Sequence, residues 1–137
     1  TTKVGRVSNI RFRDIQASSQ NGIFMMASEA GGIENVSLEG IDIELNANSQ
    51  WPNGSYDIRP CQPKTLPVGA APMGEVTPWG CKAARSNVPV YLQNATDVRL
   101  RDVRVRKGPQ PPEGFTGDVE THDIEGLRQD NVEVEAF

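Results

Sequence analysis

The residues best suited to chemistry here are a few aromatic side chains and the polar groups spaced between them. The 137-residue sequence holds four Phe, two Tyr and two Trp. Aromatic faces stack on the apolar faces of pyranose rings, and neighbouring amides, carboxylates or imidazoles bond the hydroxyls. Three short stretches alternate in the manner of strands: Ile23-Phe-Met-Met26, Val90-Tyr-Leu-Gln93 and Val119-Glu-Thr-His122. If Ile23, Met25, Val90, Leu92, Val119 and Thr121 face inward, alternation turns the others outward. The outward row then reads Phe24 and Met26, one unassigned coil, Tyr91 and Gln93, then Glu120 and His122. Trp51, Tyr56 and Trp79 belong to a segment that can lie beside this row, with Asp57 and Arg59 as hydrogen-bonding groups. Together these ten residues, Met26 aside, form a candidate carbohydrate-binding surface. The blander reading makes both tryptophans loop anchors and Tyr91 a wall residue. His122 is the sole histidine, and no nucleophile stands in sequence to be activated by it.

Other groups point to structure rather than reaction. Cys61 and Cys81 lie 20 positions apart, and a disulfide between them would add about 3 kcal/mol by loop-closure entropy. Two unpaired thiols are the alternative, and one histidine leaves zinc poorly served. No metal or other cofactor is expected. Asp42, Glu44, Glu133 and Glu135 fall at outward strand positions, where a solvated face is the simplest reading. The run Arg99-Leu-Arg-Asp-Val-Arg-Val-Arg-Lys107 sets its arginines on one strand face without interleaved aromatics. Base stacking would need those aromatics, so a solvated wall is expected, with an anionic polysaccharide second. Sequons at Asn35, Asn53 and Asn94 matter only in a eukaryotic secretory setting, and the first and last coincide with turns of the repeat.

The elements that must position these groups come from an internal repeat. Val7-Ser-Asn-Ile10-Arg-Phe12-Arg-Asp-Ile15-Gln-Ala17 aligns with the stretches beginning at Ile33, Ala95 and Ile124. In each copy, apolar residues alternate, pause for a two-residue polar or Gly step, and alternate again. The fourth copy is weakest, because Gln129 takes its middle apolar position. Successive copies are offset by 26, 62 and 29 residues, and 26–29 residues with three short strands is about one coil of a stacked solenoid. The sequence thus predicts an all-β right-handed parallel β-helix of about four coils, over a β-sandwich. It forms a single domain, 1–137, with a long loop insertion at 46–88 between the second and third coils. That insertion carries six of the ten prolines, both cysteines, both tryptophans and Tyr56.

Composition agrees. Gly (13) and Pro (10) suit many short elements, and a net charge of −4 disfavours a nucleic-acid partner. No apolar run approaches a membrane span. The sequence starts at Thr1 with no signal-peptide pattern, which reads as a processed or trimmed chain or a fragment.

On these residues the chain resembles the C-terminal coils of glycoside hydrolase family 28, the polygalacturonase-like β-helices. The resemblance rests on Val7–Ile15, Asn21-Gly22-Ile23, Ile33–Leu38, Trp51–Pro60, Leu92–Val98 and Thr121–Leu127. The family's Asn-Thr-Asp, Asp-Asp and Gly-His-Gly motifs do not occur, so no catalytic residue is assigned. Where the family's Arg-Ile-Lys motif would grip a carboxylate, this chain has Phe24-Met25-Met26. The resemblance implies a non-catalytic module that binds plant cell-wall polysaccharide and targets an attached glycoside hydrolase. Xylan or a related hemicellulose is preferred over pectin. The alternative is the C-terminal part of a family 28-like hydrolase with its catalytic coils upstream, and the third reading is a structural assembly module. It further implies a secreted or bacterial periplasmic setting and no nucleic-acid or membrane partner, with dimerisation through open coil ends as one outcome.

Overall fold

A computed structural model describes residues 5–50, 56–57, 73–77, 80–83 and 87–137. Alternating β-branched and apolar residues dictate strands throughout, and no helix occurs among these residues. The strands are β1 (Val7–Ser19), β2 (Ile23–Met26), β3 (Ile33–Leu45), β4 (Tyr56–Asp57), β5 (Met73–Thr77), β6 (Gly80–Ala83), β7 (Val90–Lys107), β8 (Val119–Glu125) and β9 (Arg128–Val134).

Six of them form one parallel sheet. β1 pairs with β3, β3 with β7, and β7 with both β8 and β9. On the side that faces β3, β7 also holds β2 through its first four residues, Val90–Gln93. One strand with two successive neighbours on the same side requires a sheet that curls, and the curl falls at Asn94. The pairing reproduces the aligned copies residue for residue: Ile10, Val36 and Val98 share one column, and Ile15, Ile41, Val103 and Val132 another.

These columns are the core. Each strand row, or tier, buries its inward residues against the next. Leu38, Leu45, Leu92, Leu100, Val98, Val103 and Val105 are all buried. Burying one such leucine contributes about 2 kcal/mol, so the two central tiers, β3 and β7, carry most of the stabilisation.

In the first three copies the polar pauses do not break the strands, as the spacing suggests they should; in the fourth the strand stops at Gly126, between β8 and β9. One residue at each pause takes the left-handed conformation, and in those three copies the hydrogen-bonded ladder continues around it. Asn9, Asn35, Asp97 and Gly126 mark the first bend, and Asp14, Gly40, Asp102 and Asn131 the second, all with φ between 51° and 68°. Only Gly, and less readily Asn or Asp, adopts this region cheaply, which explains the residue choice at every copy. The bends also bond to one another: Asn35 Nδ2 donates to Asn9 Oδ1 at 2.7 Å, and Asn131 Nδ2 to Asp102 Oδ1 at 2.8 Å. Where a bend is glycine, the space is already taken. A Cβ on Gly126 would sit 2.7 Å from Asp97 Oδ1.

The insertion differs from the expected loop. Within it, residues 56–57, 73–77 and 80–83 form a separate three-stranded antiparallel sheet in the order β4-β6-β5. Thr77 pairs with Gly80, so β5 and β6 are joined across only two residues, the commonest hairpin spacing.

Candidate functional site

Outward positions of the parallel sheet sort into three walls with different chemistry. The first comprises β2 and the opening residues of β7 and β8. Here register sets Phe24 beside Tyr91 beside Glu120, and Met26 beside Gln93 beside His122. No coil intervenes between Phe24 and Tyr91. The unassigned coil expected there does not exist, because β2 lies in the tier of β3 and so pairs directly with β7.

Direct adjacency lets the rings touch. Phe24 and Tyr91 stack with centroids 5.6 Å apart at 23°, and Tyr91 meets the His122 imidazole at 5.6 Å and 41°. Offset contacts of this kind add roughly 1 kcal/mol beyond area burial. The three rings therefore make one file crossing three strands, whose spacing is about 4.8 Å each. Polar groups follow along its flank. Tyr91 Oη donates to Gln93 Oε1 at 2.6 Å. His122 Nε2 lies 2.6 Å from Glu120 Oε1. An ionised carboxylate only accepts, so this contact places a proton on Nε2 and leaves Nδ1 of a neutral ring as an acceptor.

Exposure corrects one expectation. Tyr91 points away from the core columns, yet it is only 6% exposed, whereas Phe24 is 49% exposed. Tyr91 has a ring on each side, Phe24 and His122, and its hydroxyl is tied to Gln93. It is the middle of the file, not its accessible surface. Of the residues expected to form the site, Phe24, Tyr91, Gln93, Glu120 and His122 come together. Trp51, Trp79, Arg59 and Cys61 lie outside the described residues. Tyr56 and Asp57 form β4, and Cys81 lies in β6 opposite Asp57. The side chains of these three are likewise outside the description, and so is any Cys61–Cys81 bridge.

The second wall, between the two bends, is basic. Its outward columns read Arg11, Ser37, Arg99, Arg128 and Arg13, Glu39, Arg101, Asp130. In the latter column Arg13 pairs with Glu39 at 3.6 Å and Arg101 with Asp130 at 3.9 Å. The former puts Arg99 directly beside Arg128. The third wall, after the second bend, is acidic on balance. Arg104 meets Glu133 at 3.6 Å, and Arg106 bridges Asp42 at 3.2 Å and also Glu44. Asn46 Nδ2 donates to Glu44 Oε1 at 2.6 Å. That bond, and then the Arg106 guanidinium, hold the Glu44 carboxyl below its ordinary value, while Glu44 and Asp42 raise that of Arg106.

Sequence reasoning missed Asn94 as a structural residue. It is buried with φ 57°, and its Nδ2 donates to Ala27 O at 2.8 Å, tying β7 to the exit of β2. The signal was there: Asn94 and Asp123 are equivalent positions at the 29-residue offset, and both have φ above 50°. The Asn35 and Asn94 sequons thus use their amides within the fold. Comparisons with protein families, with curated proteins and with solved structures find no match to this chain.

Proposed function

We propose that the chain is a right-handed parallel β-helix of about four coils that binds plant cell-wall polysaccharide without cleaving it. The observation that carries this reading is the Phe24–Tyr91–His122 file. It sets the Phe24 and Tyr91 rings and the His122 imidazole at strand pitch, with carboxylate and amide groups on its flank. A sugar chain running across the strands would meet the exposed Phe24 ring at one end and the Glu120–His122 pair at the other. Tyr91 would support both from within. With apolar Phe24 and Met26 in this row, a neutral or weakly charged chain such as xylan fits better than polygalacturonate. Charge selects against the latter, because among the described residues no lysine or arginine stands in the row to offset desolvation of a uronate.

Retention on insoluble xylan, with pectin as the comparison, tests the proposal. The folded chain should be pulled down by xylan, and Phe24→Ala should remove most of the retention. Losing one base- or sugar-stacking ring of this kind costs on the order of 1–3 kcal/mol, or roughly tenfold or more in affinity. Phe24 is half exposed, so its replacement should lower the thermal midpoint by only several degrees and leave the variant folded in the binding assay, which separates binding from folding. Absence of retention on both polysaccharides would overturn the binding reading. Reducing-sugar release by the purified chain would overturn the claim that it does not cleave.

A further inference from the structure

Arginines Arg6, Arg13, Arg101, Arg104 and Arg106 each pair with a carboxylate. Arg11, Arg99 and Arg128 are exposed, and none of them has an ion-pair or hydrogen-bond partner among the described residues. Register sets all three in one outward column between the two bends, in the order Arg11, Ser37, Arg99, Arg128. We propose that this column is a binding site for a tetrahedral oxyanion, a sulfate or phosphate group, free or esterified to a larger ligand.

Charge is the first support. Between the bends the outward face carries Arg11, Arg13, Arg99, Arg101 and Arg128 against Glu39 and Asp130, in a chain of net charge −4. Both acids are engaged, Glu39 by Arg13 at 3.6 Å and Asp130 by Arg101 at 3.9 Å. Asp97, at the first bend, sets Oδ1 over Gly126, where an added Cβ would lie 2.7 Å away. The column's positive charge is therefore left unanswered by these acids. Arg99 and Arg128 are in-register neighbours on β7 and β9, with backbones about 4.8 Å apart. Like charges placed directly opposite repel. An anion between them replaces that repulsion with charge-assisted hydrogen bonds to both.

Shape and donor count select the kind of anion. Ser37 is the one short side chain in the column, so it leaves a notch between Arg11 and Arg99 with a hydroxyl at its floor. A carboxylate has two coplanar oxygens, which a single guanidinium fork satisfies. Guanidinium groups and a hydroxyl drawn from successive strands instead match an anion whose oxygens point in several directions. No aromatic side chain shares these outward columns, so the wall recognises a charged group rather than a ring. The Phe24–Tyr91–His122 file lies before the first bend, and neither site depends on the other.

Titrating the full chain with sodium sulfate and with sodium phosphate tests the proposal, at an ionic strength held constant with chloride because salt screens exposed charges. The guanidinium Nε–H resonances of Arg99 and Arg128 should shift and saturate, while those of Arg104 and Arg106 stay in place. Arg128→Ser should weaken the affinity roughly tenfold or more. Arg104→Ser, on the third wall, should change it by less than about twofold. Without the anion, at low ionic strength, Arg128→Ser should keep or raise the thermal midpoint, because it removes a like-charge neighbour. Dextran sulfate identifies the source: tighter binding per sulfate than inorganic sulfate points to an esterified group, and equal binding to the free ion. Shifts that do not saturate overturn the proposal, as do equal shifts with acetate. So does an Arg128→Ser variant that binds either sulfate as tightly as the unsubstituted chain, or that melts several degrees lower without the anion.

Discussion

Replacing Asn94 tests whether the left-handed bends hold the tiers together, because two separable contributions meet at this residue. Its φ of 57° costs an ordinary residue about 1–2 kcal/mol. Its amide donates to Ala27 O at 2.8 Å from a buried position, and removing that donor strands a carbonyl at a further cost of about 1–3 kcal/mol. Asn94→Ala incurs both, for a loss of about 3 kcal/mol. Asn94→Gly restores the conformation without the donor and should recover about 1 kcal/mol of it. Urea unfolding of the three proteins at neutral pH measures these differences. In a chain of this size the alanine variant should also melt roughly 10 °C lower. An Asn94→Ala midpoint within experimental scatter of the unsubstituted protein would refute the reasoning. Equal losses for Ala and Gly would refute the conformational share alone.

Two further outcomes follow from the same geometry. A Cβ at Gly22 would lie 1.9 Å from Pro89 O, the carbonyl that accepts from Ile23 N at 2.9 Å. Gly22→Ala should therefore destabilise by about 2 kcal/mol or more, whereas Gly5→Ala, with nothing within 4 Å, should change the urea midpoint by less than about 0.5 kcal/mol. Glu44 titrates below its ordinary 4.5 in the folded chain, through Asn46 first and then Arg106. Its contribution is complete at neutral pH, starts to fall as the pH drops toward 4.5, and is lost as the pH passes through the lower folded value. Glu44→Gln should accordingly flatten the acid side of the stability profile measured by urea titration, and an unchanged slope there would contradict the assignment.

The register of the parallel sheet was legible in the sequence because period-two alternation and the repeat offsets act on the same residues. Slipping β3 by one position would turn Val36, Leu38, Ile41 and Ile43 outward together. What could not be read was tier membership. Nothing in Ile23–Met26 says that this strand pairs directly with Val90–Gln93, because 66 residues separate Met26 from Gln93 and the intervening insertion obscures the order. The inferred gap between Phe24 and Tyr91 came from that ambiguity alone. Exposure was also hidden, since alternation gives a residue's side and not what lies over it. Tyr91 is outward and buried at once, with a ring on each side of it along the wall. The antiparallel sheet of the insertion lay beyond the repeat logic altogether, as its strands follow no copy of the template.

The three walls place the binding hypothesis under a physical constraint. Several charges here are answered across the strands: Arg6 by Glu34 at 3.0 Å, Arg13 by Glu39, Arg104 by Glu133, and Arg106 by Asp42 and Glu44. Such pairs are individually worth less than about 1 kcal/mol, and each offsets the charge of its own two members. The aromatic wall differs in kind, because its surface is apolar and its polar groups are already oriented by one another. A ligand for such a wall must offer apolar faces and hydroxyls rather than charge. The Arg99–Arg128 juxtaposition is the exception on the basic wall, a like-charge neighbour pair in a sheet that otherwise alternates sign. Because it lies between the two bends, and the aromatic file lies before the first, an anion held there would not share the surface of a sugar chain stacked on Phe24. Xylan retention should therefore depend on Phe24 and be insensitive to Arg128→Ser.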